Sequence, residues 1–146
     1  MKLVLDTNVV ISAFINPGGK PSQIIKMVLG HKAELCYNSA VLSEYECVML
    51  RPKFSHTINA DNVRRFINLI RSIGISFDTL PSTIKLPDES DRIFYDTAKG
   101  SGSMLITGNK KHFPKKPFIM SPADFFEGLK DGLIPQPQKP PPRGGY

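Results

Sequence analysis

Four acidic residues stand at positions where a folded chain could bring their oxygens together. Asp6 directly follows the apolar run 3–5, Asp88 and Asp91 precede a helical segment, and Glu44 lies inside another. Converging carboxylates repel one another and are costly to desolvate, so such a cluster makes physical sense mainly around a cation. Oxygen ligands favour Mg²⁺ or Mn²⁺, which can activate a water and offset charge on a phosphate. These residues therefore predict a divalent metal site that acts on a phosphodiester.

Each of these acids also has a simpler interpretation. Asp6 could cap a helix that starts after it, and Glu44 could be a solvated helix residue. Asp88 or Asp91 could stabilise a helix N-terminus through the helix dipole, and we expect this role for at least one of them. For Asp6 we favour the metal site, because a charge at the end of a buried strand needs a stronger reason than a cap. Spacing alone leaves the convergence of the four residues open.

The apolar pattern predicts strands that alternate with helices. Short apolar runs indicate strands at 3–5, 33–37, 75–80, 104–106 and 118–120. Spacing and capping residues indicate helices at 9–15, 22–29, 62–73, 92–99 and 122–129, and another that Ser39 caps and Pro52 ends. This alternation predicts an α/β fold with a mostly parallel sheet and helices on both faces. Ligands of such folds bind outside the carboxyl ends of the strands, where Asp6 is expected.

Length and composition predict one domain with an anionic partner. Residues 1–130 are expected to form the domain, and the proline-rich segment 131–146 a flexible tail. The net charge of +6 and the pI of about 9.4 make a polyanion a plausible partner. Cys36 and Cys47 are expected to be small buried hydrophobic residues. The chain has no run of about 18 apolar residues, which predicts a cytoplasmic protein with no membrane partner.

Three segments resemble, in order, the motifs of the PIN-domain family, which includes the toxins of VapC-like toxin–antitoxin pairs. They are LVLDTNVVISAF, SAVLSEYECVM and LPDESDRIFYDTAKGSGSMLITGNKKHF. The resemblance spans roughly residues 2–126. It implies a three-layer α/β/α sandwich around a parallel sheet, and a Mg²⁺- or Mn²⁺-dependent ribonuclease that hydrolyses RNA. It also implies a homodimer and an antitoxin protein that inhibits it.

Carried over by position, the resemblance implies a catalytic site of Asp6, Glu44 and Asp91. Asp6 and Asp91 would bind the metal directly, Glu44 would complete the site through water, and Asp88 would assist. The role of Asp88 is the least defined of the four. The resemblance therefore turns the acidic residues into a specific set of metal ligands.

Four further residues would support this site. Thr7 and Asn8 would orient Asp6 and contact the phosphate or a water, and Thr107 would contribute a hydroxyl at the same rim. Asn109 departs from the family pattern, because many members have a fourth Asp there. An amide supplies an oxygen without negative charge, so Asn109 is expected to weaken a second metal site.

Other functions are compatible with parts of the sequence. Asp6 after a first strand also suits the nucleophile of an aspartyl-phosphate phosphatase, although Asn8 stands where such enzymes usually have a second Asp. Asn109 is compatible with a catalytically weakened RNA-binding or scaffold module. His112 is the histidine nearest the predicted rim, but we expect it at the surface. Four lysines near this rim could contact RNA phosphates or form a solvated loop: Lys110, Lys111, Lys115 and Lys116.

Overall fold

Five short parallel strands form the sheet. They are β1 (Lys2–Leu5), β2 (Glu34–Tyr37), β3 (Ile75–Ser76), β4 (Met104–Ile106) and β5 (Ile119–Met120). Their order across the sheet is β3-β2-β1-β4-β5, and each neighbouring pair is parallel. This computed structural model describes residues 1–136, so most of the predicted tail lies outside the described residues. The predicted α/β class with a parallel sheet is confirmed.

Six helices cover the sheet. They are α1 (Thr7–Ile15), α2 (Lys20–Leu29), α3 (Ser39–Met49), α4 (Ala60–Ile73), α5 (Arg92–Ser101) and α6 (Pro122–Lys130). The chain moves from β1 through β2 to β3 in one direction and then crosses back to β4. Because parallel crossovers are right-handed, this reversal places α5 on the face opposite the helices between β1 and β3. Helices on both faces make the three layers that the family resemblance implied.

Local sequence explains most helix boundaries. In α4, the Asn59 side chain accepts hydrogen bonds from the backbone N–H groups of Asp61 and Asn62, and a buried stripe faces the core: Val63, Phe66, Ile67 and Ile70. The helix therefore begins at Ala60, two residues before the prediction. Asn38, and not Ser39, caps α3 by accepting a hydrogen bond from the N–H of Val41.

Strand β3 and helix α2 also differ from their predicted bounds. The strand predicted at 75–80 is limited to Ile75–Ser76, because its partner β2 ends at Tyr37, where Asn38 turns the chain into α3. Helix α2 begins at Lys20 and not at Ser22. Gly19 takes the N-cap position, and Pro21 lies in the first turn, where its missing N–H costs nothing.

The core extends beyond the predicted end of the domain. Ile134 is buried against Gly128, where a Cβ would lie 2.7 Å from Cδ1 of Ile134. Cys36 is buried as predicted, whereas Cys47 is exposed, which corrects the prediction. Cys47 is two positions from the inward-facing Tyr45, a spacing that turns it away from the core. None of the helices in residues 1–136 is long and apolar enough to cross a membrane.

Candidate active site

Asp6 and Thr107 meet at the point where the strand order reverses. Asp6 follows β1 and Thr107 follows the neighbouring strand β4. Thr107 Oγ1 donates a hydrogen bond of 2.8 Å to Asp6 Oδ2, and it accepts one of 3.0 Å from the N–H of Asn109. In open α/β sheets, the crevice outside such a reversal is the usual ligand site.

A cavity of about 280 Å³ opens at this point, and we call it the acidic cavity. It is lined by six of the residues that the sequence analysis selected: Asp6, Thr7, Asn8, Glu44, Asp88 and Asp91. The other two selected residues do not line it. Thr107 lies behind Asp6, and Asn109 is exposed, with its backbone N–H bonded to Thr107. The structure therefore brings the four acidic residues to one rim.

Asp6 is not a helix cap. It occupies the N-cap position of α1, but its side chain accepts no hydrogen bond of capping geometry. The carboxylate is 4% exposed. Burial raises the pKa of Asp6, and this effect outweighs the Thr107 hydrogen bond and the nearby N–H groups of Asn8 and Thr7, which lower it. The simpler interpretation of Asp6 as a cap therefore does not hold.

Asp91 is a partly buried carboxylate with a raised pKa. Burial, followed by repulsion from Asp6 and Asp88, raises the pKa of Asp91 to about 6, although His112 opposes the shift. His112 Nδ1 lies 3.4 Å from Asp91 Oδ2, an ion-pair distance. Within residues 1–136 that oxygen nevertheless has no hydrogen bond of good geometry. A carboxylate in this state favours a cation beside it.

Asp88 and Glu44 complete the rim in different ways. Asp88 is exposed and accepts hydrogen bonds from the N–H and Oγ of Ser90, which lower the pKa of Asp88. It thus caps the 3₁₀ turn Glu89–Asp91, as expected for at least one of the two aspartates. Glu44 is half-buried on α3. The neighbouring Tyr45 donates a hydrogen bond to the carbonyl of Leu5, which ties this helix to the end of β1.

The residues present fit a hydrated Mg²⁺ or Mn²⁺. Within residues 1–136, no three His, Cys, Asp or Glu side chains are grouped closely enough for a compact all-protein metal site. Mg²⁺ does not need one, because it keeps several waters and uses one or two carboxylates. Asp6 and Asp91 could supply these carboxylates, and a cation would offset the charge whose burial raises their pKa values. Thr7 Oγ1 has no hydrogen-bond partner among residues 1–136 and could serve as a further polar contact.

Several lining residues were missed from the sequence. His112 has an exposed side chain, as expected, and it also lines the acidic cavity. Arg51 also lines the cavity and supplies a cation that suits a phosphate. Arg51 lies two residues beyond the end of α3, in extended backbone, so helical spacing from Glu44 does not place it at the cavity. Ser90 and Phe94 also had no signal in the sequence.

Comparisons with known proteins agree with this fold. A family model described as PIN domain matches residues 2–111. The uncharacterized protein MJ1680 of Methanocaldococcus jannaschii is 30% identical over 111 residues, which cover 75% of this chain and 72% of that protein. A chain in the structure of VapBC2 from Rickettsia felis, bound to a promoter DNA fragment, superposes with a TM-score of 0.52. It is 16% identical, and the match covers 83% of this chain and 97% of that one. The chain belongs to the PIN domain family, whose members are generally nucleases.

Proposed function

We propose that this protein is a metal-dependent endoribonuclease that hydrolyses RNA phosphodiester bonds. The observation that carries the proposal is the convergence of Asp6, Glu44 and Asp91 on one cavity at the carboxyl ends of β1 and β4. The partly buried Asp91 carboxylate, which other carboxylates surround, favours a bound cation, and a phosphodiester is an anion that such a cation could hold. The basic surface, with a net charge of +6, suits a nucleic-acid backbone.

Some of the proposed ligands would contact the metal directly, and others would contact it through water. Asp6 and Asp91 hold Mg²⁺ or Mn²⁺ directly, Glu44 holds it through water, and Asp88 assists at the exposed rim. When bound, the ion lowers the pKa of the attacking water and offsets charge on the phosphate. Thr107 fixes the orientation of the Asp6 carboxylate through its hydrogen bond.

The remaining residues would either contact the substrate or orient another residue of the site. Thr7 and Asn8 contact the phosphate or a water, and Arg51, which also lines the cavity, binds a neighbouring phosphate. Asn109 orients the Thr107 hydroxyl through its backbone N–H. Because the Asn109 side chain is neutral and lies outside the cavity lining, we expect one strongly bound ion and not two.

We further propose a toxin role in the cytoplasm, as a homodimer inhibited by an antitoxin protein. The likeness to a chain of VapBC2 supports this assignment at the level of the fold. A catalytically weakened RNA-binding or scaffold module is the second candidate. The observation that favours it is Asn109, which removes the fourth carboxylate found in many relatives. The aspartyl-phosphate phosphatase has no comparable support.

Cleavage of a mixed RNA pool tests the proposal. Wild type, Asp6→Asn, Glu44→Gln and Glu46→Gln are compared with Mg²⁺, with Mn²⁺ and with EDTA. Glu46 is the matched control, because it lies on the same helix but does not line the acidic cavity. We expect cutting with metal by wild type and Glu46→Gln, and a loss of at least about 100-fold in Asp6→Asn and Glu44→Gln. Folded wild type that cuts no RNA with either metal would favour the binding module.

A further inference from the structure

A second cavity lies next to the acidic cavity along the chain. It has a volume of about 730 Å³ and is formed by residues 110–119, and we call it the lysine groove. Four lysines surround it: Lys110, Lys111, Lys115 and Lys116. Phe113, Ile119 and two prolines form an apolar floor, and no carboxylate lines it. Cavities of about 300–1,000 Å³ are typical of small-ligand sites.

Within residues 1–136, Lys110 has an ion-pair partner, but the other three lysines of the groove have none. Lys110 Nζ pairs with Asp124 Oδ2 at 2.7 Å. The side chains of Lys111, Lys115 and Lys116 form no ion pair or hydrogen bond within the described part of the chain, residues 1–136. Like charges held in one short loop repel one another, so an anion that binds there would be stabilised. The apolar floor indicates that the ligand also has a flat or apolar part.

The lysine groove adjoins the acidic cavity at His112. His112 lines the acidic cavity, whereas its two neighbours Lys111 and Phe113 line the lysine groove. The 3₁₀ turn Lys110–His112 therefore forms a shared wall, and the Lys110–Asp124 pair holds this turn against the N-terminus of α6. A polymer with a phosphate in the acidic cavity would reach the groove with its adjoining units.

We propose that the lysine groove binds the nucleotides next to the scissile phosphodiester of single-stranded RNA. Their bases lie on the apolar floor, and their phosphates contact Lys111, Lys115 and Lys116. The RNA must be single-stranded, because the bases of a duplex are stacked and paired and cannot contact the apolar floor of the groove. This inference rests on the proposed function, because that function places the scissile phosphate in the acidic cavity. The affinity of the lysine groove for RNA can nevertheless be measured without cleavage.

Binding of a fluorescein-labelled mixed-sequence RNA of about 12 nucleotides tests the inference. Anisotropy is measured in EDTA on the Asp6→Asn protein, with and without Lys115→Ala/Lys116→Ala. The matched control is Arg65→Ala/Arg71→Ala, which removes the same charge from exposed positions on α4. Helix α4 contacts β2, whereas the lysine groove lies at β5, at the far edge of the sheet. Thermal unfolding checks that each variant is folded.

The expected results are quantitative. The logarithm of the RNA association constant falls linearly with the logarithm of the salt concentration. Each lost phosphate contact makes this slope shallower by about 0.7 for single strands. The lysine double variant should lose up to about 1.4 from this slope and bind roughly 10- to 30-fold more weakly at about 0.1 M KCl, with less than about a twofold change in the arginine control. An oligonucleotide with abasic sites should bind about 10-fold more weakly than the intact strand.

Two results would overturn the inference. One is equal weakening by the lysine and arginine double variants, which would show a diffuse charge effect. The other is stronger binding of a duplex than of the single strand, which would exclude the apolar floor as a base site. Neither result affects the RNA cleavage test. Failure of the proposal that the groove binds RNA can therefore be distinguished from failure of the proposed nuclease function.

Discussion

Thr107 Oγ1 donates a hydrogen bond of 2.8 Å to Asp6 Oδ2, although 101 positions separate the two residues in the chain. The bond joins the ends of β1 and β4, the two strands beside the reversal in strand order. Asp6 itself lines the acidic cavity. This bond orients the carboxylate that the proposed function places at the metal.

Thr107→Val should weaken metal binding. The Thr107 hydroxyl lowers the pKa of Asp6, so its loss raises that pKa further and lets protons compete better with the ion. We expect about 10-fold weaker Mn²⁺ binding in a calorimetric titration, as for other residues that orient a metal ligand. Thr83→Val is the control, because Thr83 is exposed and outside the cavity lining. Equal Mn²⁺ affinity in wild type and Thr107→Val would contradict this role.

Asp91→Asn should stabilise the metal-free protein at neutral pH. The pKa of Asp91 is about 6 in the fold and 3.8 as an ordinary Asp, so the folded state binds its proton more tightly than the unfolded chain does. The ionised group therefore destabilises the fold above pH 6, and this penalty disappears as the pH falls from 6 to 3.8. After discounting for solvent screening, we expect a gain of about 1 kcal/mol at pH 7.5.

Urea unfolding in EDTA at about pH 5 and pH 7.5 measures this effect. Asp78→Asn, at an exposed carboxylate away from the acidic cavity, is the control and should give no pH-dependent gain. A gain from Asp91→Asn that is the same at both pH values would show that ionisation of Asp91 is not its cause.

Tyr45→Phe should destabilise the contact between α3 and β1. The Tyr45 hydroxyl is fully buried and donates to the carbonyl of Leu5, directly before Asp6. Its removal leaves a buried carbonyl short of a partner, which should cost about 1–2 kcal/mol of unfolding free energy. Urea unfolding measures the loss. Tyr37→Phe should cost less, because the Tyr37 bond to Arg71 is 3.3 Å and exposed. Similar losses in both variants would contradict the expectation.

Arg92→Ala should release the segment that leads to Asp88. The Arg92 guanidinium donates to the carbonyls of Ser82 and Ile84 and to both carboxylate oxygens of Glu89. Without it, local opening of residues 82–89 becomes easier by at least about 1.4 kcal/mol, so trypsin should cut after Lys85 about 10-fold faster.

Limited trypsin digestion followed by mass spectrometry measures the cut after Lys85. Arg71→Ala serves as the control, since Arg71 is an exposed residue of α4 whose side chain contacts Asn68 three residues earlier. An unchanged cutting rate in Arg92→Ala would mean that other contacts hold the segment, among them the bond from the N–H of Ser82 to Asp96.

Local pattern predicted much of this protein. Continuous apolar runs identified β1 and β4, because a strand buried on both faces must be apolar throughout. The helical stripe of α4 appeared in the spacing of Val63, Phe66 and Ile70. Boundaries were less accurate, because Asn38 and Ser39 are both good capping residues and only the backbone geometry selects between them.

The sequence by itself determined the α/β class, the strands and helices, and the acidic residues that could serve one site. Only the tertiary structure decided that Asp88 caps a turn, while Asp91 Oδ2 has no hydrogen bond within residues 1–136. It also decided that Asn109 lies outside the cavity lining and that His112 is part of it. The physical reason is that periodicity reports which face of its own element a residue occupies. Contacts across a hundred residues depend on the strand order and on the direction of each crossover, which no local pattern contains.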